Sequence, residues 1–171
     1  MGRYLITGRS GSGKTSVCKE LQRRGFNALD GDRIPGLARW VDKNTHLPVR
    51  MDYTNPVIDR NKYDWNWDKN ILEALIGKDE DVFLCSSAHN QLEFHTLFDA
   101  VFVLTLTPEE QRRRILARAE HDYGKHPIMQ EKVLAEQKEF VQAALDTGAI
   151  PLDAMRPVQI VVEDIVGQTA R

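Results

Sequence analysis

Eight consecutive residues, Gly8-Arg9-Ser10-Gly11-Ser12-Gly13-Lys14-Thr15, satisfy the pattern G-x-x-x-x-G-K-[ST] at every fixed position. Its chemistry is the holding of phosphates. Gly8, Gly11 and Gly13 let the backbone curl so that the N–H groups of Ser10, Ser12 and their neighbours face inward, and a following helix adds its positive end at Ser16. Lys14 can reach the outer phosphate oxygens. The Thr15 hydroxyl is suited to a magnesium ion that bridges them. An ordinary glycine-rich turn would need neither the Lys-Thr ending nor a strand before it and a helix after it.

Phosphoryl chemistry also needs groups on the acceptor side. An acceptor hydroxyl requires a base or an orienting carboxylate, whereas an acceptor phosphate requires only positive clamps. Asp30 and Asp32 end a short strand-like run and can hold acceptor or metal, although Asp32 equally suits the N-cap of a helix starting near Arg33. Arg114 and Arg118 share a helix face at i, i+4 spacing, which is also the look of a solvated face, as Arg112 and Arg113 suggest. Lys125 is open to both readings. Trp40, Tyr53, Tyr63, Trp65 and Trp67 alternate with Arg39, Arg50 and Arg60, a composition suited to stacking beside phosphate. The accompanying Asp42, Asp52, Asp59, Asp64 and Asp68 equally suit a cationic or polyhydroxyl acceptor, and several of the aromatics suit a local core. His89, Asn90 and Gln91 stand where they can meet substrate or simply cap a loop. The remaining histidines lack metal-ligand spacing.

The elements that must position these groups follow from periodicity. Arg3 to Thr7 is a strand, the loop follows, and Val17, Cys18 and Leu21 mark one face of a helix closed by Gly25. Phe26 to Leu29 is a second strand. Helical spacing returns from Arg33 through Leu37, Ala38 and Val41, and the stretch from Lys43 to about Asn66 has no period, as functional loops often do not. Asp68 to Ile76 is a helix, while Val82 to Cys85 and Val101 to Leu106 are apolar runs typical of strands buried on both faces. Thr107-Pro108-Glu109-Glu110 starts an Arg-rich helix reaching about Glu120. A turn with Gly124 and Pro127 leads to a long helix ending near Gly148, then a strand at Ile150 to Leu152 and a helix at Val158 to Val166. This alternation predicts a parallel sheet covered on both sides.

At 171 residues the chain fits one domain. A net charge of −2 gives no global field for a polyanion, so nucleic acid is a poor partner. No apolar run is long enough to span a bilayer, and Cys18 and Cys85 fall where small apolar residues belong, so a reducing, cytoplasmic setting is expected.

With the loop so near its N-terminus, the sequence resembles the P-loop small-molecule kinases: adenylate, shikimate and gluconate kinase relatives. Asp30-Gly31-Asp32 lies where shikimate-type kinases carry an acid near substrate and metal. The segment from Arg112 through Arg118 and on to Pro127 looks like their lid, whose arginines close over the nucleotide. Ile150 to Val158 is similar to the run that contacts adenine in adenylate kinases, which implicates Ala154. The pattern departs at Ser86-Ser87, where adenylate kinases often carry a metal-ordering acid; that leaves Asp30 or Asp32 as the main carboxylate.

The resemblance implies a three-layer α/β/α sandwich around a five-stranded parallel sheet of order 2-3-1-4-5, a P-loop NTPase fold spanning 1–171. A substrate-binding insert covers about 33–77 and a lid about 114–127. It implies transfer of phosphate from ATP with magnesium to a small acceptor, nucleotide-like slightly ahead of sugar- or acid-like. Lys14, Asp32, Asp30, Arg118 and Arg114 would serve catalysis, Thr15 and Asp32 the metal, and Gly8, Ser10 to Ser16, Arg118 and Ala154 the nucleotide. Two rivals stand beside it: an ATP-binding switch with slow hydrolysis, and a polynucleotide end kinase.

Overall fold

A computed structural model describes residues 1–51, 57–78, 80–119 and 123–169. Asp52, Tyr53 and Glu120, and residues 120–122 of the segment expected as a lid, lie outside these. The central sheet has five strands, β1 (Arg3–Thr7), β2 (Ala28–Asp30), β5 (Val82–Cys85), β6 (Ala100–Thr105) and β7 (Ile150–Asp153), in spatial order β2-β5-β1-β6-β7. Counted within this sheet alone, that is the expected 2-3-1-4-5, and every pairing is parallel. β3 (Ala38–Asp42) and β4 (Tyr63–Trp67) form a separate hairpin.

Side chains of the central strands alternate between two cores, as the period of two requires. Tyr4, Ile6, Phe102 and Leu104 face α1 (Lys14–Arg23) and α5 (Val158–Thr169) through Val17, Leu21, Val161 and Ile165. Leu5, Leu84, Val101 and Val103 face the other way, onto α2 (Lys69–Ile76) and α4 (Pro127–Asp146) through Leu72, Ile76 and Ala144. Both faces are thereby dry, which explains the unbroken apolar runs of β5 and β6. Cys18 and Cys85 are both buried, and their sulfurs are hydrogen-bond partners across α1 and β5.

The helix expected from Arg33 through Val41 is absent. A single 3-10 turn at Gly31–Arg33 is followed by strand β3 (Ala38–Asp42), antiparallel to β4 (Tyr63–Trp67), with Trp40 opposite Trp65. Pro35 cannot donate to a helical ladder, and Gly36 adopts φ 81°, a left-handed conformation that ends any helix there. The apparent helical spacing of Leu37, Ala38 and Val41 instead reflects Leu37 entering the main core while Trp40 and Val41 are buried in the hairpin. A cross-strand tryptophan pair, with ring centroids 5.4 Å apart, supports the pairing. The Arg-rich helix α3 (Pro108–Ala117) starts as expected, with the Thr107 side chain accepting from Glu110 N, and stops before Arg118.

Candidate active site

The loop between β1 and α1 is built on backbone conformations that side chains resist. Gly11 and Gly13 have φ of 85° and 105°, and a Cβ at Gly8 would lie 2.4 Å from Ser12 Oγ. Lys14, buried, donates from Nζ to Gly8 O at 2.6 Å. Burial pushes its pKa down, and the nearby Asp32 carboxylate opposes that. Ser12 Oγ is buried with no hydrogen-bond partner among the described residues, so the loop contains an unsatisfied polar group.

Arginines of α3 and its end close on this loop. Arg114 is held by Glu110 Oε1 at 2.6 Å and donates to Ala154 O at 2.8 Å and Ser12 O at 3.3 Å. Arg118, immediately past the helix, donates to Ser10 Oγ at 2.9 Å. Arg112 and Arg113 are exposed on the other side, Arg113 paired with Glu110 at 2.6 Å. The structure thus separates the two arginines with site contacts from the two that face solvent. Ala154 is buried beside the loop, its N–H bound to Thr105 O at 2.8 Å.

The carboxylates differ in setting. Asp32 is exposed, lines the cleft, and accepts from Ser86 Oγ at 3.5 Å. Asp32 caps no helix, since none follows it. Asp30 lies behind, 3.4 Å from Arg33, and burial followed by the charge of Asp32 raises its pKa. Ser86 is buried and also accepts from Trp67 Nε1 at 3.2 Å, while Ser87 lines the cleft.

A cavity of about 660 Å³ joins these parts. It is lined by the loop from Arg9 to Val17, by Arg114, Arg118, Ala154 and Arg156, and by Trp40, Ile58, Arg60, Trp65, His89 and Tyr123 with Asp32. Of the aromatics singled out in the sequence, Trp40 and Trp65 reach the cleft, whereas Trp67 is core and Tyr63 packs under Trp40. Arg39 pairs with Asp68, the cap of α2, and Arg50 is exposed. Asp42 and Asp59 accept from turn N–H groups of Asn44 and Asn61, and Asp64 lies 3.4 Å from Lys43. Asn90 exchanges two hydrogen bonds with the Trp67 backbone and Gln91 accepts from Thr7 at 2.7 Å, so both are structural. Lys125 is half-buried and is not part of the cleft wall.

Sequence reasoning missed Arg9, Tyr123 and Glu136. Arg9 occupies a variable position of the loop motif, and only its buried cation could have drawn notice. Glu136 carries no local signal; it reaches Arg9 across 127 residues of chain.

Among known proteins, the chain is 23% identical over 158 residues to a nucleotide-binding protein of Psychromonas ingrahamii, covering 90% of this chain and 48% of that one. The chain therefore spans about half the length of that relative. It is 22% identical over 186 residues to a dephospho-CoA kinase of Streptococcus pyogenes, covering 90% of this chain and 93% of that one. In three dimensions it is similar to a gluconokinase of Sinorhizobium meliloti 1021, with TM-score 0.61, 18% identity and coverage of 99% and 92%. The fold is that of the P-loop small-molecule kinases, as the motif and strand order imply. The AAA domain family matches residues 5–144, from the first strand through most of α4, and the chain is a member of that family.

Proposed function

We propose that the protein is an ATP- and magnesium-dependent kinase that phosphorylates a small molecule. The observation that carries this reading is the single cavity in which the phosphate loop, the Asp32 carboxylate and an aromatic wall share one space of about 660 Å³. That volume fits a small acceptor placed against a nucleotide. The similarity to a dephospho-CoA kinase over most of both chains supports it.

In this reading the inward amides from Ser10 to Ser16 and Lys14 Nζ hold the β- and γ-phosphates of ATP. Lys14 leaves Gly8 O for the phosphates, an exchange of a neutral acceptor for a charged one. Arg118 and Arg114 stabilise charge on the moving phosphoryl group, and the segment 114–127 acts as the lid. The Thr15 hydroxyl and the Asp32 carboxylate would hold a magnesium ion, which would supply positive charge against that developing on the phosphoryl group. Such a site fits the ion, which keeps several waters and asks for one or two protein ligands rather than a cage. Among the described residues no three His, Cys, Asp or Glu side chains cluster as a metal group.

The acceptor oxygen forms its bond to the γ-phosphorus as the bond to the β,γ-bridging oxygen breaks, and ADP leaves with that electron pair. A hydroxyl acceptor gives its proton to Asp32, and an ionised phosphate acceptor has none to give. Trp40 and Trp65 offer apolar faces for a ring, which favours a nucleotide-like acceptor.

The test is a panel of nucleoside monophosphates, nucleosides, sugars and hydroxy acids, each with ATP and magnesium. ADP release above the no-acceptor rate is the readout, with Lys14→Ala beside the wild type. One acceptor class is expected to stimulate release, and Lys14→Ala to lower it by about a hundredfold or more. ATP binding with no stimulation by any class would favour the switch reading instead.

A further inference from the structure

Four elements converge on one wall of the cleft: the phosphate loop with Arg9, the segment before β4 with Arg60, the segment after β5 with His89, and α4 with Glu136. Arg9 Nη2 and Arg60 Nη2 both address Glu136 Oε2, Arg60 at 3.3 Å. Arg60 Nη1 donates to Tyr123 OH at 3.0 Å. Arg9 and Arg60 side chains are only 10% and 11% exposed, so two buried cations share one carboxylate.

The donor count is also out of balance. Trp65 N donates to His89 Nδ1 at 2.6 Å, so a neutral imidazole carries its proton on Nε2. That N–H faces Arg60 Nη2, with Arg9 Nη1 3.5 Å away. Donors meet donors there. Arg9 Nε and Arg60 Nε are buried and have no hydrogen-bond partner among the described residues. Burial, then the charge of Arg60, lowers the Arg9 pKa to about 10. Orphan donors and an excess buried charge are each costly, and one group with several anionic oxygens relieves both.

The geometry has a direction as well. Arg9, Arg60 and His89 line both the main cleft and a second cavity of about 340 Å³, whereas Glu136 lines only the second. Glu136 therefore holds the two guanidiniums from behind, and their uncompensated charge faces the main cleft.

Resting on the kinase reading above, we propose that Arg9, Arg60 and His89 Nε2 form a subsite for an anionic group of the acceptor, a phosphate or a carboxylate, with Glu136 as its internal counter-charge. The acceptor is then an anion, and neutral sugars and nucleosides are rejected. Arg9 makes the phosphate loop itself read the acceptor, through a position that the motif leaves free.

The test has two readouts. In the first, protein saturated with ADP and magnesium is titrated with inorganic phosphate and, separately, with acetate, followed by NMR shifts of the Trp40 and Trp65 indole N–H groups. ADP leaves two places for an anion, the γ-phosphate position of the loop and the proposed subsite, and dependence on Arg60, which lies outside the loop, marks the second. Arg60→Gln and Arg9→Gln are expected to weaken binding about tenfold or more each, the loss of one charge-assisted contact. Glu136→Gln is expected to tighten it, and Arg113→Gln to leave it unchanged. The two titrants distinguish phosphate from carboxylate. In the second, Arg60→Gln raises KM for anionic acceptors with a smaller change in kcat.

Absence of binding by either anion, or binding indifferent to Arg60→Gln and Glu136→Gln, overturns the proposal, as does turnover of neutral acceptors alone. If no acceptor is turned over but the anion binds with the expected variant pattern, the subsite stands and the kinase reading fails. The opposite signs expected for Arg60→Gln and Glu136→Gln keep the result independent of a general loss of fold.

Discussion

His89 shows how a single side chain ties the hairpin to the cleft. Its backbone N–H donates to Trp65 O at 2.8 Å and its Nδ1 accepts from Trp65 N, so one residue closes both ends of an exchange with β4. Burial first, then the charges of Arg60, Arg9 and Lys43, holds its pKa down to about 2. Asp64, 3.5 Å from Nδ1, is the facing acid, and Glu136 lies beyond the arginines. The native imidazole is therefore neutral at pH values where the unfolded one, near 6.5, takes a proton. Because the unfolded state binds more protons, stability is fully present above about pH 6.5 and falls as pH drops toward the folded value. One such group gives a slope approaching about 1.4 kcal/mol per pH unit. We expect His89→Asn, measured by urea unfolding from pH 7 to 4.5, to flatten this decline; an unchanged slope would place the acid sensitivity elsewhere.

At the scale of elements, the hairpin is the part that positions the proposed acceptor wall, and it is also the part least legible in the sequence. The phosphate loop, its strand and helix, the apolar strands β5 and β6, and the helix starts at Thr107 and Asp68 could all be read, because each is fixed by local chemistry. Gly11 and Gly13 demand their conformations, and Asp68 accepts from Asn70 N and Ile71 N. The hairpin depends on pairing across more than twenty residues, Ala38 with Trp67 through Asp42 with Tyr63. No local period announces such a register. The same holds for Arg9 with Glu136, a contact between distant elements. Asp68 links the two regimes, since it caps α2 and pairs with Arg39 of β3 at 2.6 Å. Asp68→Ala removes the cap and leaves α2 starting with two unserved N–H groups, at a cost of about 1–2 kcal/mol by denaturant unfolding. Asp68→Asn keeps the acceptor and loses the surface pair, and should cost less than half as much.

For the molecule as a whole, the proposed nucleotide site and the fold share one set of contacts. The phosphate loop is covered by Arg114 and Arg118, which tie it to α3 and, through Ala154, to the end of β7. Gln111 adds a hydrogen bond to Ser10 O at 2.8 Å. Ligand bound at this junction braces both sides of the sheet's carboxyl edge, so its free energy should appear as global stability rather than local order alone. ADP with magnesium at a hundredfold excess over its Kd should add about 2.7 kcal/mol, a rise in Tm of roughly 5–10 °C for a domain of this size. Lys14→Ala has its own effect on the unliganded fold, since it deletes a buried amine and its bond to Gly8 O. The informative quantity is therefore each protein's rise over its own unliganded Tm. That rise should largely vanish in Lys14→Ala and survive in Arg113→Gln. A Lys14→Ala protein that gained as much as the wild type would show the nucleotide to be held away from the loop, and the cleft would then need another occupant.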